Sequence, residues 1–406
     1  MRLASAPAIL GRLGSAEVAI LVACAGGTVG ALWLPGQIGG VAGAGTELAY
    51  LVEAGLFCLS LATTVAVVRR RPGRRMLRLL DTRLPRAMST LLCLALAALD
   101  TVLAAFVLCV GAVTLRLHFL PLTPLWAVEL LLLLPAAYAA AAGIEPFART
   151  LDVAAPVTLL VLVATAATSV SQSRHASAAL PHLPASGGIG AVLTGAYAGV
   201  WALGALTVVP NVCAQLAPAQ AGRLGRSVAV GAAVALAIGL GLLALDLSVL
   251  GVTGLSWYAW PTVSVLRQTR SEAFLMNRVS GLDEGVMVVT VWAFVALHAW
   301  NALTNLSDLA AARRAGRERA RAKPSKPSRT PLLMVVGAVY GMARLFGAGA
   351  HLDDFSVTYL DPAVLVLAVG VPLFVWLIEG RDRTTRGWAD RGGDARAPAA
   401  RRRPIT

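Results

Sequence analysis

Long apolar stretches alternate with short polar or glycine-rich segments over most of the sequence. A helix needs about 20 mostly apolar residues to cross the hydrocarbon core of a bilayer. We number the stretches that meet this condition as spans 1 to 10: 15–35, 46–68, 88–115, 124–143, 150–170, 188–216, 226–248, 282–309, 331–348 and 362–379. A further apolar stretch, 249–265, contains Pro261 and leads into polar residues, so we predict a loop with short helices there. The pattern predicts an all-α integral membrane protein with ten transmembrane helices.

The composition agrees with a membrane protein and argues against the common soluble classes. Hydrophobic residues make up 57% of the 406 residues and charged residues only 14%, whereas a soluble domain carries about a quarter charged residues. The sequence has no G-x-S-x-G, H-E-x-x-H or G-x-x-x-x-G-K-[ST] motif, so we do not expect an enzyme. Its five cysteines lie in apolar stretches and form no C-x-x-C pair, so we expect no metal site and no cofactor.

Positive charge is distributed unevenly between the predicted loops. The formal net charge is +14, and most Lys and Arg residues fall on one side of the ten spans, chiefly in 69–86, 313–329 and 381–403. The positive-inside rule makes this side cytoplasmic, with both termini inside, and the acidic segment "HLDDFSVTYLDP" then forms an outer loop. Topology and anionic lipid headgroups account for the charge, so we expect no nucleic-acid partner. We predict a transmembrane domain over 1–380 and a basic, disordered cytoplasmic tail over 381–406.

Weak helix formers interrupt the middle of span 1. The stretch "LVACAGGTVGALWLP" contains Gly26, Gly27, Thr28 and Gly30, and each glycine disfavours a helix by about 1 kcal/mol relative to alanine. Free backbone N–H and C=O groups are tolerated at membrane depth only where protein or a wet cavity surrounds them. We therefore predict that span 1 unwinds here and offers its backbone to a bound solute.

Span 6 carries a similar interruption five helices later. Gly195, Gly199 and Gly204 lie near its centre, and Pro210 lies near its end. Broken helices at corresponding positions of two halves indicate a transporter-type site between inverted repeats, here spans 1–5 and spans 6–10. The half-helix N-termini would face an anion, and the free carbonyls a cation or an amine. The alternative is that these glycines only allow neighbouring helices to pack closely.

Three stretches of the sequence are distinctive in combination. They are "GGTVGALWLP" in span 1, "LPLTPLWAVELLLLLPAAYAAAAGIEPFART" around span 4, and "YAWPTVSVLRQ" followed by "FLMNRVSGLDEGVMVVTVWAF" before and within span 8. They resemble, in that order, the first-helix signature, the helix 3–4 loop with helix 4, and the helix 7–8 loop with the start of helix 8 of the spore germination permease family. The resemblance covers residues 15–380 and depends on order and spacing, since no single stretch is diagnostic.

The resemblance implies a fold, a ligand and partners. The family contains the B subunits of nutrient germinant receptors and belongs to the amino acid–polyamine–organocation transporter superfamily, which implies ten helices in a LeuT-like arrangement. It implies a site for a small germinant, often an amino acid, at the broken helices. It also implies a complex with a larger membrane A subunit and a C lipoprotein in the inner membrane of a bacterial spore. This chain differs in its longer basic segment after span 8 and its longer tail.

Span 8 carries polar side chains along one helical face. Polar groups inside a membrane are candidates for function, since the amides of Asn301 and Asn305 can bind an amine or a carboxylate, and a histidine such as His298 can change its charge near neutral pH. The alternative is that they hydrogen-bond to neighbouring helices. The stripe consists of Thr290, His298, Asn301, Thr304, Asn305 and Asp308.

Other polar or aromatic residues lie inside the spans. Trp201, beside the span 6 break, is expected either to close over a ligand as an apolar lid or to pack in the core. Glu53, Asp100 and Glu129 lie within spans 2, 3 and 4, and we expect each to be a neutral structural acid or a carrier of a proton. Arg344 in span 9 needs a partner, for which Asp353 or Asp354 is nearest in sequence.

These observations predict one ligand site and leave three functions open. The chain is expected to be a germinant-sensing receptor subunit, a proton- or sodium-coupled amino-acid transporter, or a structural membrane subunit without a ligand. The predicted ligand-binding residues are Gly26, Gly27, Thr28, Gly30, Asp100, Tyr197, Gly199, Trp201, Gly204, His298, Asn301 and Asn305.

Overall fold

The computed structural model describes residues 13–70, 72–81, 84–170, 188–258, 260–268, 276–318, 330–348 and 355–378. In this part of the chain the structure is helical, apart from turns and one isolated β-bridge, so the all-α prediction is confirmed. The predicted tail, 381–406, lies outside the described residues. The helices are α1 (Ser15–Ala42), α2 (Thr46–Arg70), α3 (Met76–Asp81), α4 (Arg86–His118), α5 (Leu125–Ala142), α6 (Ile144–Val170), α7 (Gly188–Ala198), α8 (Val209–Cys213), α9 (Leu224–Trp257), α10 (Pro261–Gln268), α11 (Met276–Glu318), α12 (Thr330–Ala348) and α13 (Ser356–Ile378).

Each of the ten predicted spans corresponds to a helix or to a bent helix pair. In the described ranges, eight helical stretches are long and apolar enough to cross a membrane, or nine if the bent pair in span 6 forms one span. One of these stretches, Trp33–Arg70, contains the second half of α1 together with α2. The first half of α1, Ser15–Gly26, is a shorter apolar helix. Since the 3₁₀ turn Gly43–Gly45 separates α1 from α2, they are two antiparallel spans. The protein is therefore a multi-pass membrane protein.

We name the two ends of the bundle after residues that lie there. Gly43 adopts a positive φ of 53° and turns the chain from α1 into α2, so this is the Gly43 end. The opposite end, where α2 finishes, is the Arg70 end. Between them, α1 packs along α9, and α4 packs against α11 and α12. Their buried apolar side chains form one large continuous cluster, so the core lies in the centre of the bundle.

The predicted break in span 6 is confirmed. α7 ends at Ala198, Gly199 forms a turn, and the chain continues as a 3₁₀ helix, Val200–Val208, before α8. The two halves of the span are bent by 40°. A 3₁₀ helix of nine residues is unusually long, and such a stretch inside a helix often marks a hinge. Span 6 therefore has a built-in bend at membrane depth.

The structure differs from the prediction for span 1. α1 is helical throughout Ser15–Ala42, with no break at Gly26–Gly30. A glycine weakens a helix by only about 1 kcal/mol, which packing can offset. At Gly26, a Cβ atom would lie 2.6 Å from the Phe57 ring, so the absence of a side chain lets α2 approach α1. Gly26 therefore allows two neighbouring helices to pack closely, as the alternative interpretation of these glycines predicted. The side chains of 27–32 lie outside the described part.

The segments between the later spans give one confirmation and one correction. In 249–265, α9 is kinked at Gly251 (φ 68°, ψ 173°) and the short helix α10 follows, as predicted. In the acidic segment "HLDDFSVTYLDP", however, residues 351–354 lie outside the described part, and the residues from Ser356 on belong to helix α13 rather than to a loop. Two π-helical stretches, Ser356–Leu360 and Leu365–Gly370, flank Asp361. This acid is fully buried, which its position in a predicted loop did not indicate.

The contact of α1 with α9 permits a direct test by substitution. At Gly231 a Cβ atom would lie 2.4 Å from the backbone oxygen of Ala19, and backbone cannot move aside as a side chain can. We expect Gly231→Ala to lower the free energy of unfolding by about 1–3 kcal/mol. Gly241→Ala, on the same helix with nothing within 4 Å, is the matched control and should be neutral or slightly stabilising. Thermal unfolding in detergent measures both, and equal stability of the two variants would contradict this packing.

Candidate functional site: a cavity beside the broken helix

A cavity of about 720 Å³ lies at the Gly43 end of the bundle. None of its lining side chains is charged. The Nε1 group of Trp33, one of the lining residues, is buried and has no hydrogen-bond partner among the described residues. Cavities of about 300–1,000 Å³ with mostly apolar walls and few polar groups are typical of small-molecule sites. The aromatic lining residues are Trp33, Phe106, Trp201, Tyr258, Trp260 and Phe346, and the main polar ones are Gln37, Ser256 and Ser356.

Trp201 connects this cavity to the break in span 6. It lies two residues after Gly199, and its Nε1 donates a hydrogen bond to Oε1 of Gln37 in α1. Its ring packs edge-on against Phe106, with ring centroids 5.3 Å apart. The side chain is 1% exposed and yet lines the cavity. Trp201 is therefore a packed core residue that also forms part of the cavity wall.

The glycines of span 6 lie at close contacts as well as at the break. A Cβ atom at Gly199 would be 2.6 Å from Oε2 of Glu53, and one at Gly204 would be 2.5 Å from Leu103. At Gly195 it would be 2.6 Å from the Cβ of Ala42. Both interpretations of these glycines therefore hold: the helix breaks at Gly199, and all three positions allow neighbours to pack closely.

Asp100, His298 and Asn301 are brought together in a separate buried network. Oδ1 of Asp100 accepts hydrogen bonds from Thr207 Oγ1 at 2.6 Å and from His298 Nδ1 at 2.9 Å, and Oδ2 accepts one from Asn301 Nδ2 at 2.7 Å. Asn301 also donates to the backbone oxygen of Thr207 at 3.2 Å. Asp100 therefore has the imidazole partner that its position in the sequence did not show, and the network fixes the 3₁₀ segment to α4 and α11.

The network continues toward the Arg70 end through two more asparagines. Nδ2 of Asn211 donates to Oδ1 of Asn301 at 2.7 Å and to Oδ1 of Asn305 at 3.0 Å. Oδ1 of Asn211 accepts from the backbone N–H of Met76 at 3.0 Å. These amides satisfy one another, as the interhelical alternative for span 8 predicted, and they leave little capacity for a ligand.

The predicted site residues thus fall into separate places. Among the described side chains, Trp201 lines the cavity, while Asp100, His298, Asn301 and Asn305 belong to the network and do not line it. Tyr197 is partly exposed, and its hydroxyl donates to the backbone oxygen of Val357 at 3.4 Å. Gly26 lines a much smaller cavity, described below.

Arg344 has a partner that the sequence did not indicate. Its Nη1 lies 3.4 Å from Oε2 of Glu129 in α5. Asp353 and Asp354 lie outside the described residues. Glu129 and Arg344 are 215 residues apart in sequence, and contacts of this kind cannot be inferred from neighbouring positions.

Sequence reasoning missed most of the cavity wall. Trp33, Phe106, Trp260 and Phe346 were not singled out, since an isolated aromatic residue in an apolar span has no periodic signal of its own. One indication was available. If successive spans cross the membrane in alternating directions, these aromatic residues all lie toward the same end of the bundle. Asp361 was also missed, because its segment was interpreted as a loop.

Comparisons with known proteins agree with this architecture. A family model described as "Spore germination protein" matches residues 12–313. The chain belongs to the spore germination permease family. None of the curated proteins compared matches the sequence. A solved structure described as "Crystal structure of MhsT in complex with L-phenylalanine" is similar, with a TM-score of 0.56, 14% sequence identity, and coverage of 89% of this chain and 97% of that one.

The two matches support different statements. The family match confirms the resemblance of the sequence and makes this a transporter-like germination protein. The match to MhsT, at 14% identity, shows the fold alone, and it confirms the LeuT-like arrangement that the family implied. Family and fold are those of permeases and not of enzymes.

Proposed function

We propose that this protein senses a small nutrient, an amino acid, as the transporter-like subunit of a spore germination receptor. The observation that carries the proposal is the cavity at the Gly43 end, with Trp201 in its wall. A ligand in the cavity would touch the irregular part of span 6 directly. Binding would then favour one arrangement of a bent helix over another, which is how a ligand shifts a two-state equilibrium.

The cavity wall suggests the chemistry of the ligand. Six aromatic rings and no charged side chain suit an amino acid with an apolar or aromatic side chain. An ammonium group can be held over an aromatic face, and the unpartnered Nε1 of Trp33 can donate to a carboxylate. Since α1 is continuous, this proposal places the ligand at Trp33, Gln37 and Trp201 rather than at Gly26–Gly30. L-Phenylalanine, with which the MhsT structure is in complex, is a suitable first probe.

The charge distribution and the family support a proposed location and proposed partners. With both termini cytoplasmic, the Gly43 end and its cavity face outward from the inner membrane of the spore. The A subunit and the C lipoprotein of the receptor are the proposed protein partners. In this arrangement, span 6 would pass the ligand signal to the A subunit.

The proposal is tested in spores of the source organism. Deletion of the gene should remove or delay germination with at least one amino acid, and Trp33→Ala should shift the dose response to higher concentrations. Trp126→Ala is the matched control, because Trp126 is 51% exposed and does not line the cavity. Unchanged germination of the deletion strain with every nutrient in the panel would overturn the receptor role.

A second function is favoured by the fold. The break in span 6 and the similarity to MhsT also suit a proton- or sodium-coupled amino-acid transporter. Ion-dependent accumulation of radiolabelled amino acid in proteoliposomes, without any A subunit, would support this function.

A purely structural subunit would show neither uptake nor thermal stabilisation by a nutrient. A ligand at 100-fold its Kd, in contrast, adds about 2.7 kcal/mol to the free energy of unfolding.

A further inference from the structure

Two buried carboxylic acids face the break in span 6 from opposite helices. Glu53 in α2 is 5% exposed and Asp361 in α13 is 0% exposed. Oε2 of Glu53 lies 2.6 Å from the position that a Cβ atom of Gly199 would occupy. Asp361 lies against the backbone amide of Trp201, two residues after Gly199. The pair therefore encloses the first turn of the 3₁₀ segment.

Neither acid has the partner that a buried charge requires. Oε2 of Glu53 and both side-chain oxygens of Asp361 have no hydrogen bond of acceptable geometry within the described part of the chain, although the Trp201 amide points toward Asp361. No ion pair found among the described residues includes either acid. By contrast, Asp100 accepts three hydrogen bonds. The two acids are thus buried, polar and unsatisfied.

The surrounding elements supply no positive charge among the described residues. The ionisable groups facing the pair are the hydroxyls of Tyr50 from α2 and Tyr197 from α7. The residues by which α1, the 3₁₀ segment and α9 line the space beside Glu53 are Gly26, Leu34, Ala202, Leu203, Ala235 and Leu236, and all are apolar.

Elementary electrostatics limits the charge that this pair can carry. A carboxylate without partners is costly in a low-dielectric interior, and two close carboxylates cannot both ionise there, so they share a proton. The space beside Glu53 has a volume of about 20 Å³, which is enough for one water molecule. Among the described residues, no group of three or more His, Cys, Asp or Glu side chains could hold a metal ion.

We propose that Glu53 and Asp361 form a proton site that holds one shared proton at the break in span 6. The proton bonds to one carboxyl oxygen and is donated to the other acid, directly or through one water molecule. Trp201 connects this site to the cavity, because its amide faces Asp361 and its ring lines the cavity wall. Loss of the proton would place two charges beside the hinge and displace the 3₁₀ segment.

The first test uses the purified full-length protein without any nutrient, so its outcome is independent of the proposed function. Near neutral pH the folded protein holds one proton that the unfolded chain has already released. The folding equilibrium constant of the wild type should therefore fall about tenfold per pH unit relative to that of Glu53→Gln/Asp361→Asn between pH 6 and 8. Equilibrium unfolding by dodecyl sulfate in mixed micelles gives both curves.

The control is Glu145→Gln, which neutralises an acid outside the pair, one that forms an ion pair with Arg149 on the same helix. It should retain the pH-dependent difference that the double variant loses. Identical pH dependence of the wild type and the double variant would overturn the proposal. Stabilisation of the wild type by sodium chloride but not by choline chloride at pH 8, absent from the double variant, would also overturn it in favour of a sodium site.

A second measurement does not depend on refolding of the variants. Infrared spectra of the wild type at pH 7 should contain the carbonyl stretch of a protonated carboxylic acid that shifts between H₂O and D₂O and decreases as the pH is raised. The tryptophan fluorescence should change over the same pH range and should lose that change in Trp201→Phe. Absence of a titrating acid band in the wild type would overturn the proposal even if no variant folds.

Discussion

Replacement of Asp100 by alanine is expected to lower the free energy of unfolding by about 3–5 kcal/mol, because the acceptor of three buried hydrogen bonds is lost. Asp100 is 0% exposed and accepts hydrogen bonds from Thr207, His298 and Asn301. Alanine would remove all three hydrogen bonds and leave Nδ1 of His298 without its partner in the membrane interior, where no water replaces it. Equilibrium unfolding in mixed micelles measures the loss.

Two further variants separate the network from the helix that carries it. Thr101→Ala changes the next residue of α4, whose hydroxyl bonds only within its own helix, to the backbone oxygen of Ala97, and we expect a loss below about 1 kcal/mol. Asp100→Asn keeps the shape and should fall between the two. A loss for Asp100→Ala no larger than that for Thr101→Ala would show that the network contributes little to stability.

Gly199→Leu is expected to weaken the response to ligand by about 10- to 100-fold, the equivalent of about 1–3 kcal/mol of overpacking at the hinge. Its Cβ atom alone would lie 2.6 Å from Glu53 and 2.9 Å from Leu34, so these neighbours must move to admit a larger side chain. The span 6 break must then shift, and Trp201 with it. Germination dose responses and nutrient-induced thermal shifts measure the change.

Gly190→Leu is the matched control for this prediction. Gly190 lies in α7, in the same span, and has nothing within 4 Å of its Cβ position. The control should insert, fold and respond like the wild type, since its side chain faces open space. A normal ligand response in both variants would remove the hinge from the mechanism. Failure of both to reach the membrane would indicate an effect on insertion of span 6 instead.

Several elements of the fold could be predicted from the sequence because the bilayer imposes simple requirements. The length of each apolar stretch predicted α2, α4 and α12 within a few residues. The glycines of span 6 predicted a break, and the structure has one at Gly199. The same logic applied to span 1 differed from the structure, since local helix propensity is weaker than the packing of α1 against α2 and α9.

The candidate site was predicted only in part. The polar face of span 8 had a clear helical period, so the burial of His298 and Asn301 could be predicted. Their partner, Asp100, lies 198 residues away from His298, and no local pattern connects the two. Glu53 was recognised as an unusual residue for a membrane span, but its neighbour Asp361 was placed in a loop. Contacts between helices of different repeats carry no signal in a single sequence.

The sequence by itself determined that this chain spans a membrane many times, that positive charge collects on one side of its spans, and that span 6 bends near Gly199. These properties depend on the length, charge and backbone preference of single segments, because each segment must meet the requirements of the bilayer by itself. Only the tertiary structure decided that the polar residues of span 8 satisfy Asp100, that aromatic rings from several helices surround the cavity, and that Glu53 and Asp361 both lie beside the break in span 6. Those contacts depend on how the helices are rotated and which of them are neighbours, and packing of the whole bundle sets both.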